Sequence, residues 1–132
     1  MRHATELALQ PTGLTGAQAN VLTELAYGPA RSNAELARFS LVAPQTMVEI
    51  LMLLERKGLI LRKAHPDGGR AMLAELTKRG GEKLLEVHLA MRSVEERLLS
   101  ELPPEDIPRL RRLLEGCLAG LEKQGLGSDP VL

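Results

Sequence analysis

Ser32-Asn33-Ala34-Glu35-Leu36-Ala37-Arg38-Phe39-Ser40-Leu41-Val42-Ala43-Pro44-Gln45-Thr46-Met47-Val48-Glu49 is the stretch whose pattern decides the fold. Ser32 followed three residues later by Glu35 is a capping box: the Ser hydroxyl accepts from the first turn while Glu35 reaches back to the cap amide. The box opens a short helix over 33–39, with Leu36 and Ala37 facing inward. Ser40-Leu41-Val42 forms a turn. Pro44 then stands in the first turn of a second helix, where its missing amide hydrogen would have found no partner anyway. That helix reads from 45 to 57, with Val48, Leu51, Met52 and Leu54 as its apolar stripe. Gly58 ends it, and the basic pair Arg56-Lys57 suits the negative end of the helix dipole.

Downstream, Leu59-Ile60-Leu61 is strand-like and leads into Arg62-Lys63. His65-Pro66-Asp67-Gly68-Gly69 is a dense turn signal, and 71–76 is a second short strand, so a β-hairpin separates the helices. Thr77 caps a helix running to about residue 99, with Leu84, Leu85, His88, Met91 and Leu98 at its apolar positions. Leu102-Pro103-Pro104 interrupts. A last helix over 105–123 carries Ile107, Leu110, Leu113, Leu114, Cys117, Leu118 and Leu121, with Cys117 expected as a small buried apolar residue. Residues 125–132 read as a flexible tail. Upstream, a short helix over 4–10 is ended by Pro11 and Gly13. Thr15 caps another with Val21, Leu22, Leu25 and Ala26, stopped by Gly28-Pro29.

At 132 residues the chain suits one domain. A single Phe, a single Tyr and no Trp leave a core of Leu, Ala, Met, Val and Ile, which favours packed helices over a sandwich or barrel. The expected fold class is mainly α with a small β-hairpin. Basic and acidic residues balance at 17 each, but unevenly along the chain. Residues 31–80 carry nine Lys or Arg against five Asp or Glu, and residues 81–132 carry seven against ten. The middle is the natural footprint for a polyanion. A single Cys gives neither an intrachain disulfide nor a zinc cluster, and His3, His65 and His88 lack metal spacing, so no metal or cofactor is expected. No apolar run reaches the roughly 18 residues of a membrane span and no secretory h-region is visible; a cytoplasmic protein is expected. There is no phosphate-binding glycine loop and no nucleophile triad, which leaves an enzyme as a remote alternative.

Two short helices joined by a tight turn, followed by a hairpin, are the layout of a winged helix-turn-helix. One helix is held by its partner so that it can enter a major groove about 12 Å wide, while the hairpin reaches the backbone or minor groove. The series Leu14-Thr15-x-x-Gln18, Val21-Leu22, Asn33-x-Glu35-Leu36-Ala37, Leu54-Glu55-Arg56-Lys57-Gly58-Leu59-Ile60, Arg62, Pro66, Arg70 and Leu76-Thr77-x-x-Gly80 resembles the multiple-antibiotic-resistance regulator (MarR) family in register. The resemblance implies a homodimer on a palindromic operator, usually repression, and often a small-molecule effector pocket between the dimer helices and the DNA-binding lobe. It places that lobe at 14–80 and dimerisation helices at 1–13 and 81–124.

Residue by residue, it implies base contacts from the helix beginning at Pro44, through Gln45, Thr46 and Glu49. Gln pairs bidentately with adenine, Thr offers a hydroxyl and a methyl, and Glu accepts from cytosine. No Lys or Arg occurs between Leu41 and Glu55. Backbone contacts therefore fall to Ser32, Asn33 and Arg38 and to the wing residues Arg62, Lys63, His65 and Arg70. Family members usually carry an Asp two residues before the wing Arg, where this chain has Gly68. Only 13 residues precede Leu14, fewer than in many relatives, so dimerisation is expected to fall largely on Leu110, Leu113, Leu114, Leu118 and Leu121. The same stripe could instead be the core of a single chain. His88 and Met91 face the region of the family's effector pocket, with core packing as the alternative. Glu49 and the thin wing charge also suit a different class of function, a winged-helix protein-interaction module.

Overall fold

The computed structural model describes residues 2–69 and 72–123. Its elements run α1 (Arg2–Leu9), a single 3-10 turn (Gln10–Thr12), α2 (Gly16–Tyr27), α3 (Asn33–Phe39), α4 (Pro44–Arg56), β1 (Ile60–Ala64), β2 (Met72–Leu76), α5 (Lys78–Leu99) and α6 (Asp106–Lys123). No single helix is long and apolar enough to cross a membrane among the described residues. The chain divides into two compact units at Val94/Glu95.

In the first unit α2, α3 and α5 begin where their cap chemistry requires. The Gln18 amide donates to Thr15 Oγ1 at 3.3 Å, and the Thr15 amide donates to Gln18 Oε1 at 3.1 Å, so α2 opens with a full capping box. Ser32 and Glu35 form the second box at the start of α3: the Ser32 amide donates to Glu35 Oε2 at 2.7 Å. Leu36 and Ala37 are buried, as their spacing predicts. On α4 the buried set is Met47, Ile50, Leu51 and Leu54. This corrects the expected stripe: Val48 is half-buried and Met52 is mostly exposed. The helix is rotated relative to the expected stripe because Met47 and Ile50, not Val48 and Met52, meet the core formed by Val21, Leu22 and Leu36.

The hairpin is antiparallel with Ile60 opposite Leu76, Arg62 opposite Ala74 and Ala64 opposite Met72. Alternation puts Ile60, Arg62, Ala74 and Leu76 on one face. Ile60 is buried there, and Ala74 and Leu76 pack against the core. A lone antiparallel bridge from Ser32 to Leu73 fastens β2 to the start of α3. The ends of the hairpin meet at one junction. Gly58, at φ 73°, turns the chain out of α4. The Thr77 hydroxyl donates to the Gly58 carbonyl oxygen at 2.6 Å and accepts the Gly80 amide at 3.0 Å, capping α5 as its sequence position suggests. On α5 the buried residues are Gly80, Leu84, Val87 and Val94. The expected stripe is therefore corrected: Leu85, His88 and Leu98 are exposed, and Met91 packs at the edge of the core.

The second unit holds the end of α5 and α6. Leu113, Leu114, Leu118 and Leu121 are each more than half exposed, and Leu110 is half-buried. Cys117 is exposed, not buried as expected; Ile107, Leu110, Leu114 and Leu118 line a shallow hollow with Leu99 at the end of α5 instead. The expected tail at 125–132 lies outside the described residues.

Two adjacent glycines at the start of α5 should respond in opposite senses to the same change. A Cβ on Gly80 would collide with the Leu59 carbonyl oxygen and crowd Leu76 Cδ2, whereas a Cβ on Gly81 meets nothing. Gly80→Ala is expected to lose about 3 kcal/mol by overpacking, and Gly81→Ala to gain about 0.5–1 kcal/mol from helix propensity. Urea unfolding of both variants and the parent at one protein concentration checks the pair.

Candidate nucleic-acid interface

The axes of α3 and α4 diverge by 110° across the turn between them, within the range of a helix-turn-helix. The turn holds Leu41 at φ 54°, the only non-glycine with positive φ among the described residues. Its conformation is fixed by the Leu41 amide donating to the Arg38 carbonyl oxygen at 3.2 Å and the Val42 amide donating to that of Ala37 at 3.0 Å. Ala43 is the cap residue of α4 and makes no side-chain cap bond; Pro44 follows it in the first turn.

Burial of Met47, Ile50, Leu51 and Leu54 leaves Pro44, Gln45, Thr46 and Glu49 facing solvent. Helical spacing adds Met52 and Arg56 to the face of Gln45 and Glu49. Both are exposed, and sequence reasoning had left Met52 in the core. The signal that could have found it is the pair Met47 and Ile50, whose spacing competes with Val48 and Met52 for the inner face. The resulting surface is neutral to acidic at its N-terminal end, with a thioether in the middle and a cation at its far end.

Around it, Ser32 and Asn33 are half-buried at the head of α3, and Arg38 is exposed in its last turn. The Asn33 Oδ1 atom is buried with no hydrogen-bond partner among the described residues. In the wing, Lys63 is exposed but paired with Glu75 at 2.6 Å. Arg62 lies on the inward face of the hairpin, half-buried, with its Nε lacking a partner. His65 Nδ1 accepts the Asp67 amide at 3.1 Å, and the Asp67 carboxylate lies 3.6 Å from the same nitrogen. Asp67 thus serves the turn locally. Gly68 and Gly69, at φ 81° and 85°, let the tip adopt a left-handed path. Arg70 lies outside the described residues.

Sequence reasoning missed two aromatic contacts near the lobe. The rings of Tyr27 and His88 stack with centroids 5.9 Å apart and an interplanar angle of 20°. Arg31 places its guanidinium 4.1 Å from the Phe39 ring centroid and pairs with Glu24. Tyr27 and His88 are distant in sequence, and Arg31 and Phe39 lie at opposite ends of α3, so no local pattern announces either contact. Met91 sits one helical turn beyond His88 on α5. No group of His, Cys, Asp or Glu able to hold a metal occurs among the described residues.

The MarR family model matches residues 12–71. The HTH-type transcriptional repressor Rv2887 of Mycobacterium tuberculosis is 35% identical over 115 residues, which cover 87% of this chain and 83% of that protein. The M. tuberculosis MarR family protein Rv2887 in complex with DNA matches with a TM-score of 0.74 at 33% identity, over 88% of this chain and 86% of the other. The same protein with salicylic acid matches at 0.75 and 34%, over 88% and 86%. Wild-type MarR from E. coli in its apo form matches at 0.79 and 25%, over 88% and 87%.

The α3 capping box makes a pH-dependent prediction. The Glu35 carboxyl is held below its ordinary range, first by the Ser32 backbone amide, then by the Ser32 side chain, with Arg38 and Arg31 adding to the effect against a desolvation cost. A carboxyl depressed in the folded state contributes stability that is complete above its unfolded pKa and is lost as pH falls through the folded value. Glu35→Gln is therefore expected to be less stable than the parent at neutral pH and to converge with it on acidification. Thermal melts from neutral pH down to acid check the convergence, and a gap that persists below the carboxylate range counts against it.

Proposed function

The chain belongs to the MarR family of DNA-binding transcriptional regulators, and on that premise we propose that it works as a homodimeric repressor of a palindromic operator, relieved by a small aromatic acid. The observation that carries the DNA-reading part is the exposed Gln45, Thr46 and Glu49 face on a helix held at 110° to α3. Gln45 and Thr46 read base edges, Glu49 accepts from cytosine, and Met52 lies where a thymine methyl would touch an apolar side chain. Ser32, Asn33 and Arg38 fix the register on the phosphates, and Lys63, His65 and Arg70 serve the wing. Arg62 acts at the base of the hairpin, its half-buried position suiting a contact made as the wing engages.

Dimerisation through Leu110, Leu113, Leu114, Leu118 and Leu121 is supported by an apolar arc of which all but Leu110 are more than half exposed. Two such protomers would set their reading helices about 34–36 Å apart, one turn of the duplex. The effector part draws on the salicylic acid complex of a relative and on Tyr27, His88 and Met91, whose stacked rings offer an aromatic acid a flat partner. An effector there acts by favouring a dimer whose helix spacing no longer fits. The regulator works where the chromosome is, in the cytoplasm. A second reading, a protein-interaction module, draws on the absence of Lys and Arg from 41–55 and on the Lys63–Glu75 pair.

Selection from a random duplex pool, followed by affinity measured across salt, separates the two. The repressor reading expects an enriched palindrome whose affinity falls steeply with salt; no binding at any salt leaves the interaction module. On the selected operator, Gln45→Ala is expected to cost about 1–3 kcal/mol at one base position per half-site, while Arg38→Ala weakens all sequences alike and flattens the salt slope by about 1. Fluorescence anisotropy on matched and single-substituted duplexes checks both. Leu114→Glu/Leu118→Glu is expected to sediment as a monomer and bind the operator at least about 100-fold more weakly, since the two half-sites are no longer engaged together.

A further inference from the structure

At the C-terminal end of α4 lies a concavity of which the DNA-binding reading uses only Arg56, at the far end of the exposed face. It has a volume of about 390 Å³ and lies wholly within the first unit, between the end of α4, the loop before α2 and the start of α5. Its floor is Leu14 and Leu59, both nearly fully buried, with Thr12 beside them. Its rim is Arg56, Lys57, Arg79 and Lys83, and no acidic side chain lines it.

Two of these cations already have partners. Lys57 Nζ donates to the Gly13 carbonyl oxygen at 2.9 Å, and Lys83 Nζ to Glu86 Oε2 at 2.7 Å. Arg56 and Arg79 have neither an ion pair nor a hydrogen bond among the described residues. The glycines shape the site as well. Gly58 and Gly13 both take φ 73°. A Cβ on Gly58 would lie 3.1 Å from an Arg79 guanidinium nitrogen, so its absence lets the guanidinium lie over the end of α4. Lys83 shares its charge with Glu86, so Arg56, Lys57 and Arg79 are the like charges that repel each other around the hollow, and an anion seated in it relieves them together.

The geometry points to this hollow as a binding site for a small anion carrying two or more negative charges, of the phosphate or carboxylate class. Its volume falls in the range of small-ligand sites. Arg79 offers a planar fork that binds such oxygens bidentately, and Lys83 supplies a compact charge one helical turn away. A duplex backbone is a poorer occupant. The far end of α4 is about 18 Å along the helix from Pro44, at 1.5 Å per residue. The hollow is also floored by apolar side chains, whereas a phosphate backbone rides on an open polar surface.

Inorganic pyrophosphate is the probe. Calorimetric titration of the full chain is made at a constant ionic strength of about 0.15 M, where diffuse attraction is screened beyond about 8 Å. One saturable site per chain is expected, with a matching rise in melting temperature. Arg79→Gln/Lys83→Gln is expected to weaken it at least about tenfold, the worth of a charged hydrogen bond. Arg109→Gln, on α6 in the second unit, is expected to leave it within about twofold. The single variants Arg79→Gln and Lys83→Gln, each giving part of the loss, carry the test if the double variant does not fold. No saturable binding overturns the proposal, and so does an equal loss in Arg109→Gln, which would mean diffuse charge. A double variant that loses operator affinity while keeping pyrophosphate overturns it too, by assigning the rim to DNA. Pyrophosphate binding is read without DNA, so its outcome stands apart from that of the repressor reading.

Discussion

The Thr77 hydroxyl, 2.6 Å from the Gly58 carbonyl oxygen and 3.0 Å from the Gly80 amide, is the point through which α4, the hairpin and α5 are held together. The Thr77 amide donates to the Leu59 carbonyl oxygen at 3.0 Å, and the Leu59 amide donates to that of Leu54, also at 3.0 Å. The last turn of α4, both ends of the hairpin and the first turn of α5 therefore share one hydrogen-bonded knot. Gly80 is part of it, because only a residue without a side chain lets α5 lie against the Leu59 backbone. Polar groups at such a junction are costly to leave unpaired, so the knot constrains direction as well as holding energy. The hairpin and α4 both leave from it, and the Ser32–Leu73 bridge closes the loop by tying the hairpin back to the start of α3.

Function is carried by what that frame leaves outside. Packing of Met47, Ile50, Leu51 and Leu54 against the core determines, by helical geometry, that Gln45, Thr46, Glu49 and Met52 face outward. The reading face has no positive charge of its own until Arg56. On the proposed reading, affinity for a phosphate backbone would come from the flanks, while the helix would supply discrimination. Lys63 is shared with Glu75 and Arg62 is turned inward, which leaves the wing fewer free cations than its sequence promises. Charge is instead concentrated at the C-terminal end of α4, around the hollow formed by Arg56, Lys57, Arg79 and Lys83.

Much of this was legible in the sequence because its causes are local. The Ser32–Glu35 box, Pro44 in a first turn, Gly58 at positive φ, the glycine-rich hairpin tip and the Thr77 cap each depend on residues within a few positions of each other. A backbone conformation or a terminal amide needing a partner can be read at that range. The family register followed from the same signals in order, and the matching relatives agree with it.

Helix rotation was not legible at the same range. Met47 and Val48, or Leu84 and Leu85, are equally apolar neighbours, and which of each pair is buried depends on the position of another element. The same holds for Cys117, placed inside by its neighbours' chemistry and outside by the absence of a covering partner in the described chain. The Tyr27–His88 stack and the basic hollow join segments far apart in sequence. The sequence by itself determined where helices start and stop and which polar residues fall on α4 and the hairpin, since caps, turns and propensities act over one or two turns. Tertiary structure alone decided which of those residues face outward and which cations gather, because burial is a property of the packed pair and not of either segment.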